Sequence, residues 1–163
     1  MPNRLKFPLI QTIYRQILPG FVCGLLLVAG LHPPVIAQSA GINRAEITQI
    51  LDSPQVFIQN KQAKVKDIAS KGQRVRTGNA RAQVLFNTGA VGRLTPNSVL
   101  TVGQKCARLR SGTLLVNGAM NGCASSVVAG VRGTTYLLEV DDNGEARIKV
   151  LEGEVTVDRL PAP

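Results

Sequence analysis

Apolar and polar residues alternate in this chain only over segments of four to seven residues, with Gly, Pro and Asn between them. A period of two in runs that short specifies β-strands and leaves no convincing long helix. Ala45–Leu51 reads as a helical turn or a first strand, broken by Asp52-Ser-Pro54. Further strand candidates are 55–59, 63–66, 82–87, 90–94, 98–102, 113–116, 134–140, 145–150 and 154–157. Turn signals separate them at Asn87-Thr-Gly89, Thr95-Pro-Asn97, Asn117-Gly118, Asn121-Gly122, Asn143-Gly144 and Glu152-Gly153. With four Phe, two Tyr and no Trp in 163 residues, the core must be built from Val, Leu, Ile and Ala. The expected fold is all-β: one domain of short antiparallel strands forming a sandwich, a roll or a solenoid-like stack, after an N-terminal signal peptide.

The N-terminus has a different character. Arg4, Lys6 and Arg15 are the only charges before Arg44, and they precede the apolar run from Phe21 to Leu31. His32-Pro-Pro then breaks any helix, and Val35 and Ala37 offer a small-residue cleavage site after Ala37. This is the order of a Sec-type export signal. The other reading is an uncleaved anchor from Ile17 to Ile36, which Pro19, Gly24, Gly30, His32, Pro33 and Pro34 interrupt. Cys23 opens the apolar run instead of closing it, so it lacks a lipidation setting. The expected division is signal peptide 1–37, linker 38–44, β domain 45–158 and tail 159–163, with a periplasmic or secreted location.

Removing 1–37 takes away His32, the sole histidine. Three of the 19 basic residues leave with it, so 16 remain against 10 acidic ones, a net of +6. Without histidine, Ser-His-Asp and Cys-His catalysis cannot be built, and the commonest zinc and copper ligand is missing. Asp141-Asp-Asn-Gly144 is the densest carboxylate group, and Asn-Gly after two Asp reads as a hairpin turn before it reads as a calcium or catalytic site. No catalytic residue, metal site or cofactor is expected. Cys106 and Cys123 remain, an even count that in an oxidising compartment reads as one disulfide pinning two neighbouring strand ends. They lack the Cys-x-x-Cys spacing of a redox-active pair.

Four stretches share an order and spacing that resembles the FecR-type domain, a periplasmic sensor and regulator module. They are Gly72–Gly78, Ala82–Gly89, Leu94–Val102, and Val131-Arg-Gly-Thr-Thr-Tyr136 leading into Lys149–Val157. Together they fall within residues 45–158. Arg132, Gly133, Thr134, Tyr136, Glu152 and Gly153 form the most specific part. Val127-Val-Ala-Gly130 departs from the pattern, standing at a local turn where Thr-Pro is more usual. On their own chemistry, Gly78, Gly89 and Gly153 are expected at positive φ. Gly133 is expected to permit a bend, and Arg132 to serve as a hydrogen-bonding hub or a ligand contact. The resemblance implies regulation or binding, not catalysis. Full-length relatives carry a cytoplasmic anti-sigma segment and a membrane helix, whereas only residues 1–16 precede the apolar span here. The expectation is therefore a minimal, free-standing domain outside the inner membrane.

Charge is distributed unevenly. Residues 38–110 hold twelve basic and three acidic side chains, a net of +9, and residues 111–163 hold four and seven, a net of −3. Lys61, Lys64, Lys66, Lys71, Arg74, Arg76 and Arg81 form a candidate patch for an anionic partner, an envelope protein or an anionic glycan. The plainer reading is solubilising and edge-protecting cations on strands. Nucleic acid is not expected, because Phe57, Phe86 and Tyr136 offer no stacking platform with basic flanks. A membrane partner follows only if the N-terminal segment stays uncleaved. A structural envelope scaffold is the competing class of function.

Overall fold

The computed structural model describes residues 41–125, 127–131 and 134–159; the signal-peptide reading, Arg132, Gly133 and the tail after Arg159 lie outside them. All regular structure among the described residues is β. The strands in chain order are β1 (Arg44–Leu51), β2 (Val56–Ile58), β3 (Lys61–Gln62), β4 (Ile68–Ser70), β5 (Arg74–Thr77), β6 (Arg81–Phe86) and β7 (Val91–Leu94). They continue with β8 (Val99–Val102), β9 (Ala107–Asn117), β10 (Gly122–Ala124), β11 (Val127–Val131), β12 (Thr135–Val140), β13 (Ala146–Glu152) and β14 (Val155–Arg159).

These strands form one continuous sheet that curls about β9. Residues 112–117 of β9 belong to a first layer ordered β4-β1-β6-β7-β9-β12-β13. Residues 107–111 belong to a second layer ordered β3-β2-β5-β8-β9-β10-β11-β14. Neighbours are antiparallel except β9 and β10, where Gly122 pairs with Ala107 and Ala124 with Leu109 in parallel. The chain runs out along β9, turns at Gly118, and returns to lie beside its own start.

Alternation decides what is buried. Ala82, Val84 and Phe86 of β6, Leu114 and Val116 of β9, and Tyr136 and Leu138 of β12 point inward from the first layer. Val56, Val75, Leu100, Val102 and Leu109 do so from the second, and all join one hydrophobic cluster. Each inward side chain adds about 1.5–3 kcal/mol of burial, which is how short strands without Trp hold together.

The bend in β9 has a local cause. Val99 pairs with Ser111 but Leu100 with Leu109, so Arg110 is an extra residue that twists the strand. Gly112 follows at φ +84°, and a Cβ there would lie 2.7 Å from Ser98 Cα. Ser98 is fully buried and fully bonded. Its N–H donates to Thr77 Oγ1 at 2.9 Å, and its Oγ accepts from the Thr113 N–H at 3.1 Å. Thr77 Oγ1 in turn donates to the Thr95 carbonyl at 2.7 Å.

The all-β fold stands as read, and several local expectations change. Ala63–Lys66 is a turn, not a strand: the Asp67 carboxylate accepts the Lys64 N–H at 2.9 Å, and Lys66 has φ 78°. Its alternation misled because only Ala63 is buried, while Val65 is exposed. Residues 127–130, where the sequence departs from the family pattern, belong to β11, which lies between β10 and β14. The stretch read as a linker reaches into the domain, since Ile42 is buried and its N–H donates to the Gln104 carbonyl at 3.1 Å. Gly89 and Gly153 have positive φ, but Gly78 does not; it is small because the Gln55 side chain packs there, its Cβ 3.1 Å from where a Gly78 Cβ would be.

Gly112→Ala combines a left-handed φ with a backbone clash, so it is expected to destabilise the fold by more than about 2 kcal/mol. Gly144→Ala, at φ +79° with nothing within 4 Å, keeps only the conformational term, about 1–2 kcal/mol. Urea midpoints for the two variants at unchanged slope measure the difference.

Candidate functional site

The described family-like residues, Thr134, Tyr136, Glu152 and Gly153, lie around a corner between the two layers. β11 of the second layer and β12 of the first are joined through residues 132–133, and β13 and β14 make the reverse crossing at Gly153. The crossings lie side by side, with Val131 paired to Val155 and Thr135 to Glu152. Gly153, at φ +85°, packs directly on Thr134, whose Cβ would be 3.2 Å from an added Cβ. The Thr134 carbonyl accepts the Gly118 N–H at 3.1 Å, tying the end of β9 to the same corner. Thr134 Oγ1 is buried without a hydrogen-bond partner among the described residues. Glu152 is exposed.

Tyr136 carries the corner into the core. It is fully buried, and its hydroxyl donates to the Met120 carbonyl at 3.0 Å. A Cβ on Gly122 would lie 2.7 Å from that hydroxyl, so β10 crosses the ring at glycine distance. Burial pushes the phenol pKa upward. Among the family-like residues, Thr134, Tyr136 and Gly153 are thus held by packing and backbone geometry.

Cys106 and Cys123 form a disulfide with Cα atoms 5.7 Å apart. It staples the start of β9 to β10, where the parallel pairing is only three residues long. A closed loop of 17 residues contributes about 3 kcal/mol by the chain-entropy estimate.

The seven cations named from the sequence do not share one face. Arg81 of β6 forms an ion pair with Asp52 in the first layer, with contacts of 2.6 and 3.0 Å. The Arg81 hydrogen bond lowers the Asp52 pKa more than slight desolvation raises it. Lys64 and Lys66 sit in the β3–β4 turn, and Lys61 on the short edge strand β3. Lys71 donates to Gln104 Oε1 at 2.7 Å.

Arg74 and Arg76 project outward from β5, and the register sets them beside two arginines outside that group. Arg74 pairs with Thr101, and Thr101 with Arg108. Arg110, two residues on from Arg108, faces the same way, and its Nε donates to Thr101 Oγ1 at 3.2 Å. Arg76 lies over the Phe57 ring, 4.5 Å from its centroid. No described carboxylate makes an ion pair with any of these four. Sequence distance hid the relation: β5 and β9 are separated by three intervening strands in the chain but by β8 alone in the sheet.

The remaining concavities are shallow. The largest described, about 580 Å³, opens between the edges of the two layers and is lined by Lys61, Asp67 and neutral side chains including Ile58, Gln62 and Gln73. Among the described residues no group of three His, Cys, Asp or Glu could hold a metal ion. Also among them, no helix is long and apolar enough to cross a membrane.

The fold is a curled β domain with its layer crossings at one corner, and its family match indicates a sensor and regulator-type domain of the cell envelope. Residues 73–156 match the family described as FecR protein, and the chain belongs to that family. Comparisons with curated proteins and with solved structures give no match. The match runs from the whole of β5 to the first two residues of β14, and so contains both crossings and the disulfide.

Tyr136→Phe leaves the buried Met120 carbonyl without its donor and is expected to lower stability by about 1–3 kcal/mol near neutral pH. A phenol pKa raised in the folded state favours folding below the unfolded value and loses that stability as pH rises above it. Wild-type stability is therefore expected to fall above about pH 10 more steeply than that of Tyr136→Phe. Denaturant midpoints across pH 8–11 test this.

Proposed function

We propose that the chain is exported and acts outside the inner membrane as a non-catalytic binding and signalling module that recognises a protein or glycan partner. The disulfide between β9 and β10 carries this reading. A bond that closes a three-residue parallel pairing is of use only where thiols are kept oxidised, and the basic, apolar N-terminus reads as an address for such a compartment. Family membership supplies the regulatory class. The lack of histidine after residue 37 fits recognition better than acid–base chemistry.

The intact mass of the protein recovered from its host, taken with and without reductant, tests the first half. The expected species lacks residues 1–37 and gains about two hydrogens on reduction, while losing about 3 kcal/mol of stability. A full-length species in the membrane fraction would replace the released module with an anchored one. Crosslinking in intact cells tests the second half: a saturable partner is expected, and its absence at all protein levels would favour a scaffold.

A further inference from the structure

We propose that the outer face of the second layer binds an anionic polysaccharide through Arg74, Arg76, Arg108 and Arg110. The inference rests on the export reading for its biological setting and names the class of partner.

The face is built for repeated anionic groups. Residues two apart along a strand are ~7 Å apart, and β5 and β9 are separated by two strand spacings, ~9.5 Å. The arginines therefore form a grid, with the Thr101 hydroxyl between them. Guanidinium groups bind carboxylate, sulfate and phosphate oxygens through paired N–H donors and stay charged at any physiological pH. Asp158 is the one carboxylate on the described strands of this layer, and the β9-β10-β11-β14 register sets it three strands from Arg108. The acidic β12–β13 turn borders the grid at one end, where Arg108 donates to the Ser125 carbonyl at 3.2 Å and Ser125 Oγ donates to the Gly144 carbonyl, so the positive field is strongest toward β5.

Other polyanions fit less well. Leu51, Val65, Ile68, Leu85, Val150, Leu151 and Val157 are the exposed large apolar residues, and none projects from this face. A bilayer would gain little beyond charge attraction. Phe57 is the aromatic of the face and is covered by Arg76, so bases have no ring to stack on. An acidic protein would normally find a broad apolar, desolvated centre in its docking site, and here the middle strand offers Thr101 and the half-buried Val99 flanked by cations. A hydroxyl-rich, charged chain meets hydroxyl and guanidinium donors across the whole surface.

The test is binding of the host-matured protein to polygalacturonate, with neutral dextran and phosphatidylglycerol vesicles in parallel arms. Saturable, salt-sensitive binding to polygalacturonate and none to dextran is expected. Replacing all four arginines by Gln is expected to weaken it by roughly tenfold or more. Replacing Lys64, Lys66, Arg93 and Arg147 by Gln removes the same charge elsewhere and is expected to change it less than about threefold. Equal losses in the two variants would overturn the assignment to this face, as would absence of polygalacturonate binding. Binding to vesicles alone would overturn it in favour of a membrane. Circular dichroism and an intact Cys106–Cys123 bond verify that each variant is folded. The assay uses purified protein, so its failure is separate from failure of the export reading, which the intact mass decides.

Discussion

The fold depends on one strand changing layers. β9 supplies the central strand of both layers, so the domain exists only if its backbone turns sharply between Arg110 and Thr113 without losing hydrogen bonds. A bulge and a left-handed glycine make the turn, and they expose polar backbone groups inside the protein. Ser98 satisfies these groups by bonding the Thr113 N–H and carbonyl with one hydroxyl. Thr77 then satisfies Ser98. Burying two hydroxyls is tolerable because each is bonded, and the same bonds fix β5, β8 and β9 in register.

That register has consequences at a distance. With β9 bent at Gly112, its first half faces β8 and β10 and its second half faces β7 and β12. The chain must then cross between layers twice more, after β11 and after β13, and both crossings fall at the corner where Thr134 and Gly153 touch. Local side-chain size controls this corner: glycine at 153 leaves room for Thr134, and glycine at 122 leaves room for the Tyr136 hydroxyl. Thr134, Tyr136 and Gly153 of the family-like stretch are thus explained by how the sheet closes.

The class of fold was legible in the sequence because inward and outward residues alternate in most strands, as in Ala82–Phe86 and Tyr136–Val140. The turns at Asn87-Thr-Gly89 and Asn143-Gly144 were legible through residues that accept positive φ. Strand β11 was hidden because Val127-Val-Ala-Gly-Val131 has no alternation to read. The false strand at Ala63–Lys66 shows the reverse case, where the alternation stops at Ala63 and the chain turns through the Lys64–Asp67 bond and the positive φ of Lys66. The disulfide partners were readable by count alone. The parallel pairing that the disulfide staples was not, since it arises only when the chain returns around the Gly112 bend.

The cationic face belongs to what only the fold could reveal, because β8 brings β5 and β9 together, and the bulge in β9 borders it. In a regular strand, Arg108 and Arg110 would lie in line and both pair across to β8. The extra residue frees Arg110 from the ladder while its side chain still reaches Thr101 on the outer surface. Four guanidinium groups close together repel one another, yet on a water-covered face this repulsion is screened and small. Their cost to the fold is therefore slight, while their combined field extends into solvent and grows where water is displaced by an anion. The constraint that folds the chain and the surface offered to a partner thus meet at a single residue insertion in β9.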